Sequence, residues 1–338
     1  MNSLEGKSQW KWDGGWGSFA VLMLAFSLLP FVMPYTSLAT EILCLSLLAI
    51  SFNLLFGYGG LLSFCHAAFF SIGAYTVGNL IIHFHVPVLV GILAGGLLAA
   101  LVALPIGIIS IQRLGIYFAF LTLAFNELIY YILYESVPLT GGDEGLRGIT
   151  RPNLNLGFWT LDLSRPLTFY FFVLALFALC FWVMRRIVNS PFGRVIKSIK
   201  ENESRAEAIG YRIKNFKLTI VIISGFFAGI SGALHTLYIK FADVEHCMWT
   251  FSGDVVLMTL LGGIKSLIGP VFGVFLFVFL SDSLSNLWDR WLFIIGIIFL
   301  ISVLFFRGGI QGILENLSRS LSSKKSGRGS TDLTRGGV

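Results

Sequence analysis

Residues 190–234 read SPFGRVIKSIKENESRAEAIGYRIKNFKLTIVIISGFFAGISGAL, and the change of character at Lys217 decides the fold. Up to Lys217 the stretch is a polar island rich in charge; beyond it the run 217–239 is apolar and long enough for a helix that needs roughly 20 residues to cross hydrocarbon. Further apolar runs lie at 19–35, 38–56, 61–82, 86–111, 115–134, 167–184, 267–281 and 291–306. A shorter run at 254–264 would extend only about 16 Å at 1.5 Å per residue, so it reads as a half-helix or re-entrant segment. The 338 residues are 56% hydrophobic and only 12% charged, about half the charge of an ordinary soluble domain. The expected fold is an all-α polytopic membrane protein of about ten transmembrane segments, with short or broken helices near 254–281.

The charges orient the chain. Of 24 Lys and Arg, nine fall between Arg185 and Lys217 and six between Arg307 and Arg335. A basic pI invites nucleic acid as a partner, but clustering between spans is a topology signal instead, so no nucleic acid is expected. With both clusters on the cytoplasmic side, residues 1–18 are a cytoplasmic or interfacial N-terminus anchored by Trp10, Trp12 and Trp16. Residues 19–311 are the transmembrane domain, with an outside loop at 136–166 and a cytoplasmic loop at 185–217. Residues 312–338 are a disordered basic cytoplasmic tail, rich in Ser and Gly. The reading is a multi-pass protein with both termini cytoplasmic.

Within the island, Ser190 before Pro191 suits an N-cap and first helical position, and Val195, Ile196 and Ile199 supply an apolar stripe. A second short helix fits Glu203–Ile209, with acidic residues at its positive end and Gly210 stopping it. Such a hairpin suits a membrane-surface anchor or a knob for a partner's groove.

Glycine punctuates two apolar regions: Gly57, Gly59 and Gly60 before the span 61–82, and Gly262 and Gly263 leading to Gly269 and Pro270. Blocks of spans around them start on opposite sides of the membrane, the pattern of an inverted internal repeat with interrupted helices. The four cysteines show no paired spacing and behave as small hydrophobes. His83 and His85, with Glu245 and His246, suit interfacial histidines better than a metal site, so no metal is expected. No G-x-x-x-x-G-K-[ST] occurs; the nearest string, Gly262 to Ser266, lacks the first glycine and the Gly-Lys pair.

Residues 201–234 resemble the cytoplasmic coupling loop and following span of permeases of the branched-chain amino-acid ABC transporter family, most closely the LivM type. The resemblance continues in order through NLLFGYGGLLSFCHAAFFSIGAY (53–75), LGIYFAFLTLAFNE (114–127), TGGDEGLRGI (140–149), SPFGR (190–194), LGGIKSLIGPVFG (261–273) and RGGIQG (307–312). Lys265 departs from it, standing where the family usually has a small residue, and Cys65 and Ser71 replace positions commonly Gly. The resemblance implies a non-enzymatic permease subunit of an ATP-driven importer in a bacterial cytoplasmic (inner) membrane. It implies a homologous (LivH-like) permease partner and two cytoplasmic ATP-binding subunits that use ATP and Mg, with no cofactor on this chain. A periplasmic or lipid-anchored solute-binding protein would deliver solute, and Glu203, Arg205, Ala206, Ile209 and Gly210, within the 190–217 loop, would contact the ATPase. The solute implied is a branched-chain or related amino acid, with urea, short amides and aromatic acids as alternatives.

Polar residues inside spans are the candidates for the solute path, because an ionisable group at membrane depth faces a cavity or partner. These are Asn53, His66, Thr122, Asn126 and Glu127, each with a structural alternative: a satisfied histidine, a hydrogen-bonded glutamate, a small hydroxyl at a helix contact. Two rivals stand beside the importer. An intramembrane enzyme needs carboxylates or histidines clustered on facing spans, and the sequence offers scattered single groups; an ion-driven secondary transporter needs no ATPase.

Overall fold

The computed structural model describes residues 16–33, 35–151, 154–155, 160–285 and 290–305. The expected interfacial segment before Trp16, the RGGIQG block and the basic tail lie outside them. The described residues form helices α1 (Trp16–Val32), α2 (Thr36–Asn53), α3 (His66–Phe84), α4 (Val88–Ser110), α5 (Ile116–Glu135), the short α6 (Val137–Thr140), α7 (Pro166–Asn189), α8 (Pro191–Glu201), α9 (Glu203–Ala208), α10 (Ile213–Ile239), α11 (Trp249–Gly262), α12 (Gly269–Ser285) and α13 (Trp291–Phe305). A two-residue antiparallel pairing joins Leu154–Asn155 to Thr160–Leu161 in the loop before α7. Six helices are long and apolar enough to cross a membrane: α2 with its extension, α3, α4, α5, α7 and α10. Helices α1, α11, α12 and α13 are shorter, so the described residues hold six helices of full spanning length and four shorter ones, against an expectation of about ten segments that included short or broken helices.

Helix α2 is the axis. Every residue from Ile42 to Leu55 is buried, with α10, α12, α7 and α11 around it. A helix apolar on all sides suits a protein core or a membrane interior, and here it is other helices that cover it. Helix α10 packs on α4, α3 and α2 through small residues. A Cβ at Gly232 would sit 1.9 Å from the carbonyl oxygen of Phe70, so only glycine permits α3 to approach this closely. Helix α1 rides outside on α7, with Phe19 stacked on Phe181 and Phe26 edge-on to Phe177.

The two glycine breaks meet. Helix α2 ends in a π-helical turn, Leu54–Tyr58, beyond which the chain is irregular until His66. The span expected to begin at 61 therefore starts five residues later. Asn53 donates from Nδ2 to the carbonyl of Ser266 at 2.8 Å, and a Cβ on Gly57 would lie 2.6 Å from the carbonyl oxygen of Ile264. The turn between α11 and α12 thus packs against the end of α2. At the opposite end of the bundle, Leu146 and Ala242 exchange both backbone hydrogen bonds, at 2.7 and 3.2 Å. Arg151 there donates to the carbonyls of Leu237 and Tyr238, satisfying the C-terminus of α10 with a cation.

Candidate functional site

Two helices begin inside the bundle. An irregular backbone among apolar helices exposes N–H groups that lipid cannot satisfy, so each needs a partner from elsewhere in the chain. Between residues 63 and 68 the partners are side chains. Phe64 N–H donates to Thr122 Oγ1 (3.0 Å), Cys65 N–H to Ser63 Oγ (3.2 Å), Ala67 N–H to Ser252 Oγ (3.0 Å) and Ala68 N–H to Asn126 Oδ1 (3.0 Å). Asn126 also donates from Nδ2 to the carbonyl of Cys247 at 2.8 Å, just before α11. One amide of α5 therefore ties the starts of both α3 and α11. His66 is fixed beside them: Ser224 Oγ donates to the carbonyl of Ser51 at 2.7 Å and so accepts from His66 Nε2, also at 2.7 Å. The ring is then the Nε2–H tautomer, with Nδ1 buried and unpartnered among the described residues.

The island forms a small domain at one end of the bundle. Ser190 caps α8, accepting from Gly193 N–H at 3.3 Å, with Pro191 in the first turn. Asn202 caps α9, accepting from Arg205 N–H at 2.9 Å. Gly210, at φ +97°, turns the chain out of α9, where an L side chain would be strained. Ile199, Ala206 and Ile213 bury against one another with Val195 and Phe216, joining α8, α9 and α10. Two cations fasten this unit to the spans. Lys217, almost wholly buried, pairs with Glu203 at 2.7 Å. Lys200 donates to the carbonyl of Gly57, inside the π-helical turn, and burial lowers its pKa. Of the residues singled out for partner contact, Glu203 and Ala206 face inward, whereas Arg205, Ile209 and Gly210 are exposed. Ile209 is 71% exposed, an apolar knob among charges.

At the other end, α2, α10, α11 and α12 line an open cavity of about 310 Å³. Glu41, Asp254, Asp282, His235 and His246 line it together with apolar side chains such as Leu45, Met258 and Phe277. His246 is engaged at its Nδ1 by Asp243, 2.5 Å away. Groups that are scattered along the sequence are here on facing helices. The signal that picked out Glu127, a lone carboxylate in an apolar run, applies equally to Glu41 in the run 38–56. Glu127 itself, next to Asn126, is half-buried and does not line this cavity; its Oε1 has no hydrogen-bond partner among the described residues. Asn53, His66, Thr122 and Asn126 do not line it either, being turned onto backbone or neighbouring side chains.

The model of a protein family described as the branched-chain amino acid transport system / permease component matches residues 35–303. The high-affinity branched-chain amino acid transport system permease protein LivM of Escherichia coli (strain K12) is 27% identical over 280 residues, covering 77% of this chain and 66% of that protein. The LivM protein of Salmonella typhimurium is similar to the same extent. The probable branched-chain amino acid transport permease protein LivM of Methanocaldococcus jannaschii is 27% identical over 278 residues, covering 71% of this chain and 78% of the relative. The match spans just under two thirds of the length of the two enterobacterial proteins, at 66%. No solved structure matches the chain.

Proposed function

The chain belongs to the branched-chain amino acid transport permease family, and on that premise we propose that it is one permease subunit of an ATP-driven importer, forming half of a solute path. The exposed α9 and its stop, Arg205 to Gly210, would seat in a groove of a cytoplasmic ATPase, Ile209 as the apolar anchor and Arg205 as its charged flank. The observation that carries this reading is the double fastening of the island. Lys217–Glu203 ties α9 to α10, and Lys200–Gly57 ties α8 to the break at the end of α2. A push on α9 is therefore delivered to the two most central helices. ATP binding on the partner would bias an inward/outward equilibrium through these contacts, a coupling between sites rather than a chemical step on this chain.

The remaining parts of the proposal follow the family. A homologous permease completes the path, two ATP-binding subunits use ATP and Mg, and a solute-binding protein docks on the side of the 136–166 loop. The island lies on the cytoplasmic side of a bacterial inner membrane, together with both termini. The solute is a branched-chain or related amino acid, as the names of the relatives suggest; urea, short amides and aromatic acids are the alternatives. The acidic cavity favours one second reading, a secondary transporter driven by an ion gradient, which predicts uptake without any ATPase.

Two variants test the coupling. Arg205→Glu reverses a charge on the exposed face of α9, and Gly210→Pro locks φ near −65° where +97° is required. Both should abolish uptake in cells carrying the complete system while the protein still inserts in the membrane at normal abundance. Normal ATP-driven uptake by both would sink the coupling role of the island.

A further inference from the structure

The far-end cavity gathers ionisable side chains that lack partners among the described residues. Glu41 of α2 and Asp254 of α11 line it, and neither has a hydrogen bond or ion pair among the described residues. His235 of α10 lines it too, only 4% exposed. Its ring touches Phe70, Tyr238 and His246 but has no hydrogen-bond partner among the described residues. Asp282 adds a third carboxylate from α12, and His246 is already held by Asp243. Carboxylates withdrawn from water without a cation are costly, and a buried imidazole with idle nitrogens loses the hydrogen bonds it would make in water. A group that suits this lining is positively charged and donates hydrogen bonds.

A primary ammonium has three N–H donors, and Glu41, Asp254 and neutral His235 offer acceptors from three different helices. Beside them the lining is hydrocarbon, from Leu45, Met258 and Phe277. The volume, about 310 Å³, lies at the lower end of small-molecule sites. We propose that this cavity is a binding station for a primary amine on a short aliphatic skeleton, with Glu41, Asp254 and His235 on the ammonium and the apolar residues on the chain. That the ligand is cargo in transit rests on the transport reading above; the chemistry of the cavity does not. A neutral amide or urea can donate hydrogen bonds to the carboxylates but brings no ammonium charge to offset theirs, so the station favours solutes that carry an ammonium.

The test needs no transport. Ser281 lines the cavity, and the four native cysteines are buried, so Ser281→Cys places an accessible thiol there. The full chain in nanodiscs is labelled with a trimethylammonium methanethiosulfonate and with its sulfonate counterpart. With each rate expressed relative to that reagent's rate with a free thiol in solution, the cationic reagent should react roughly tenfold faster or more, because a cleft of one charge sign concentrates the opposite one. 3-Methylbutylamine should protect the thiol, and 4-methylpentanoate, the same size but without an amine, should not. In the Glu41→Gln, Asp254→Asn background both the rate ratio and the protection should disappear. Equal rates with the two reagents, protection by 4-methylpentanoate, or protection by potassium at the same concentration as the amine would overturn the site. A failure of the transport reading would leave these rates unchanged, so the two results are separable.

Discussion

Three helices each turn one polar residue onto a partner within the bundle and another into the cavity, and the two sets are treated oppositely. On α2 these are Ser51 and Glu41, on α10 Ser224 and His235, and on α11 Ser252 and Asp254. Along α10 the two lie about 16 Å apart at 1.5 Å per residue. In the middle, Ser51 offers its carbonyl to Ser224, Ser224 receives His66, and Ser252 receives the N–H of Ala67. At the cavity, Glu41, Asp254 and His235 have no hydrogen bond among the described residues. Ser224, Ser252 and Asn126 answer backbone and hold the broken helices in place, while Glu41, Asp254 and His235, which answer nothing among the described residues, face the cavity. Burial alone does not separate the two sets; partnership does.

Substitutions should split along the same line. The largest loss of stability is expected for Asn126→Leu. It strips the partners of the Ala68 N–H and the Cys247 carbonyl at once, at roughly 1–3 kcal/mol for each buried group left unsatisfied. Denaturant unfolding of the detergent-solubilised chain reads this directly, and a loss below about 1 kcal/mol would mean that α3 and α11 are held by other contacts. Ser224→Ala should cost less, about 1–2 kcal/mol, because it leaves one imidazole N–H without its acceptor. At the cavity the sign changes. Asp254→Leu removes an unpartnered carboxylate from beside other carboxylates and should be neutral or stabilising, while abolishing protection of the cavity thiol by the amine. A marked destabilisation by Asp254→Leu would place that carboxylate with the structural set and erase the contrast.

Much of the island was legible because its signals are local. Ser190–Pro191 begins a helix, and Gly210 ends one at a positive φ, each within a few residues of the feature it controls. The Asn202 cap is not read there, although Asn followed by Glu is a familiar helix start, and neither are the Lys217–Glu203 pair and the bond from Lys200 to Gly57, which join the island to other elements. The segment 61–65, LLSFC, was read as helix because it is apolar, and apolarity is all that a window of hydropathy reports. Its irregular form depends on Thr122 and Asn126, each 58 residues away from its partner, and no local pattern carries that dependence. The cavity was obscured in the same way. Glu41, His235, Asp254 and Asp282 belong to four helices, and only packing brings them together. The two glycine breaks were legible as breaks; their mutual contact, through Asn53 and Ser266, was not.

The proposal that the island couples ATP hydrolysis to a solute path is tested most directly by uptake of radiolabelled leucine. Vesicles would carry this chain with its permease partner, two ATPase subunits and the solute-binding protein, with and without ATP. Uptake should require ATP and the ATPase subunits, and Arg205→Glu should eliminate it without releasing the chain from the membrane. Uptake that continues when the ATPase subunits are omitted and an ion gradient is imposed would contradict the account.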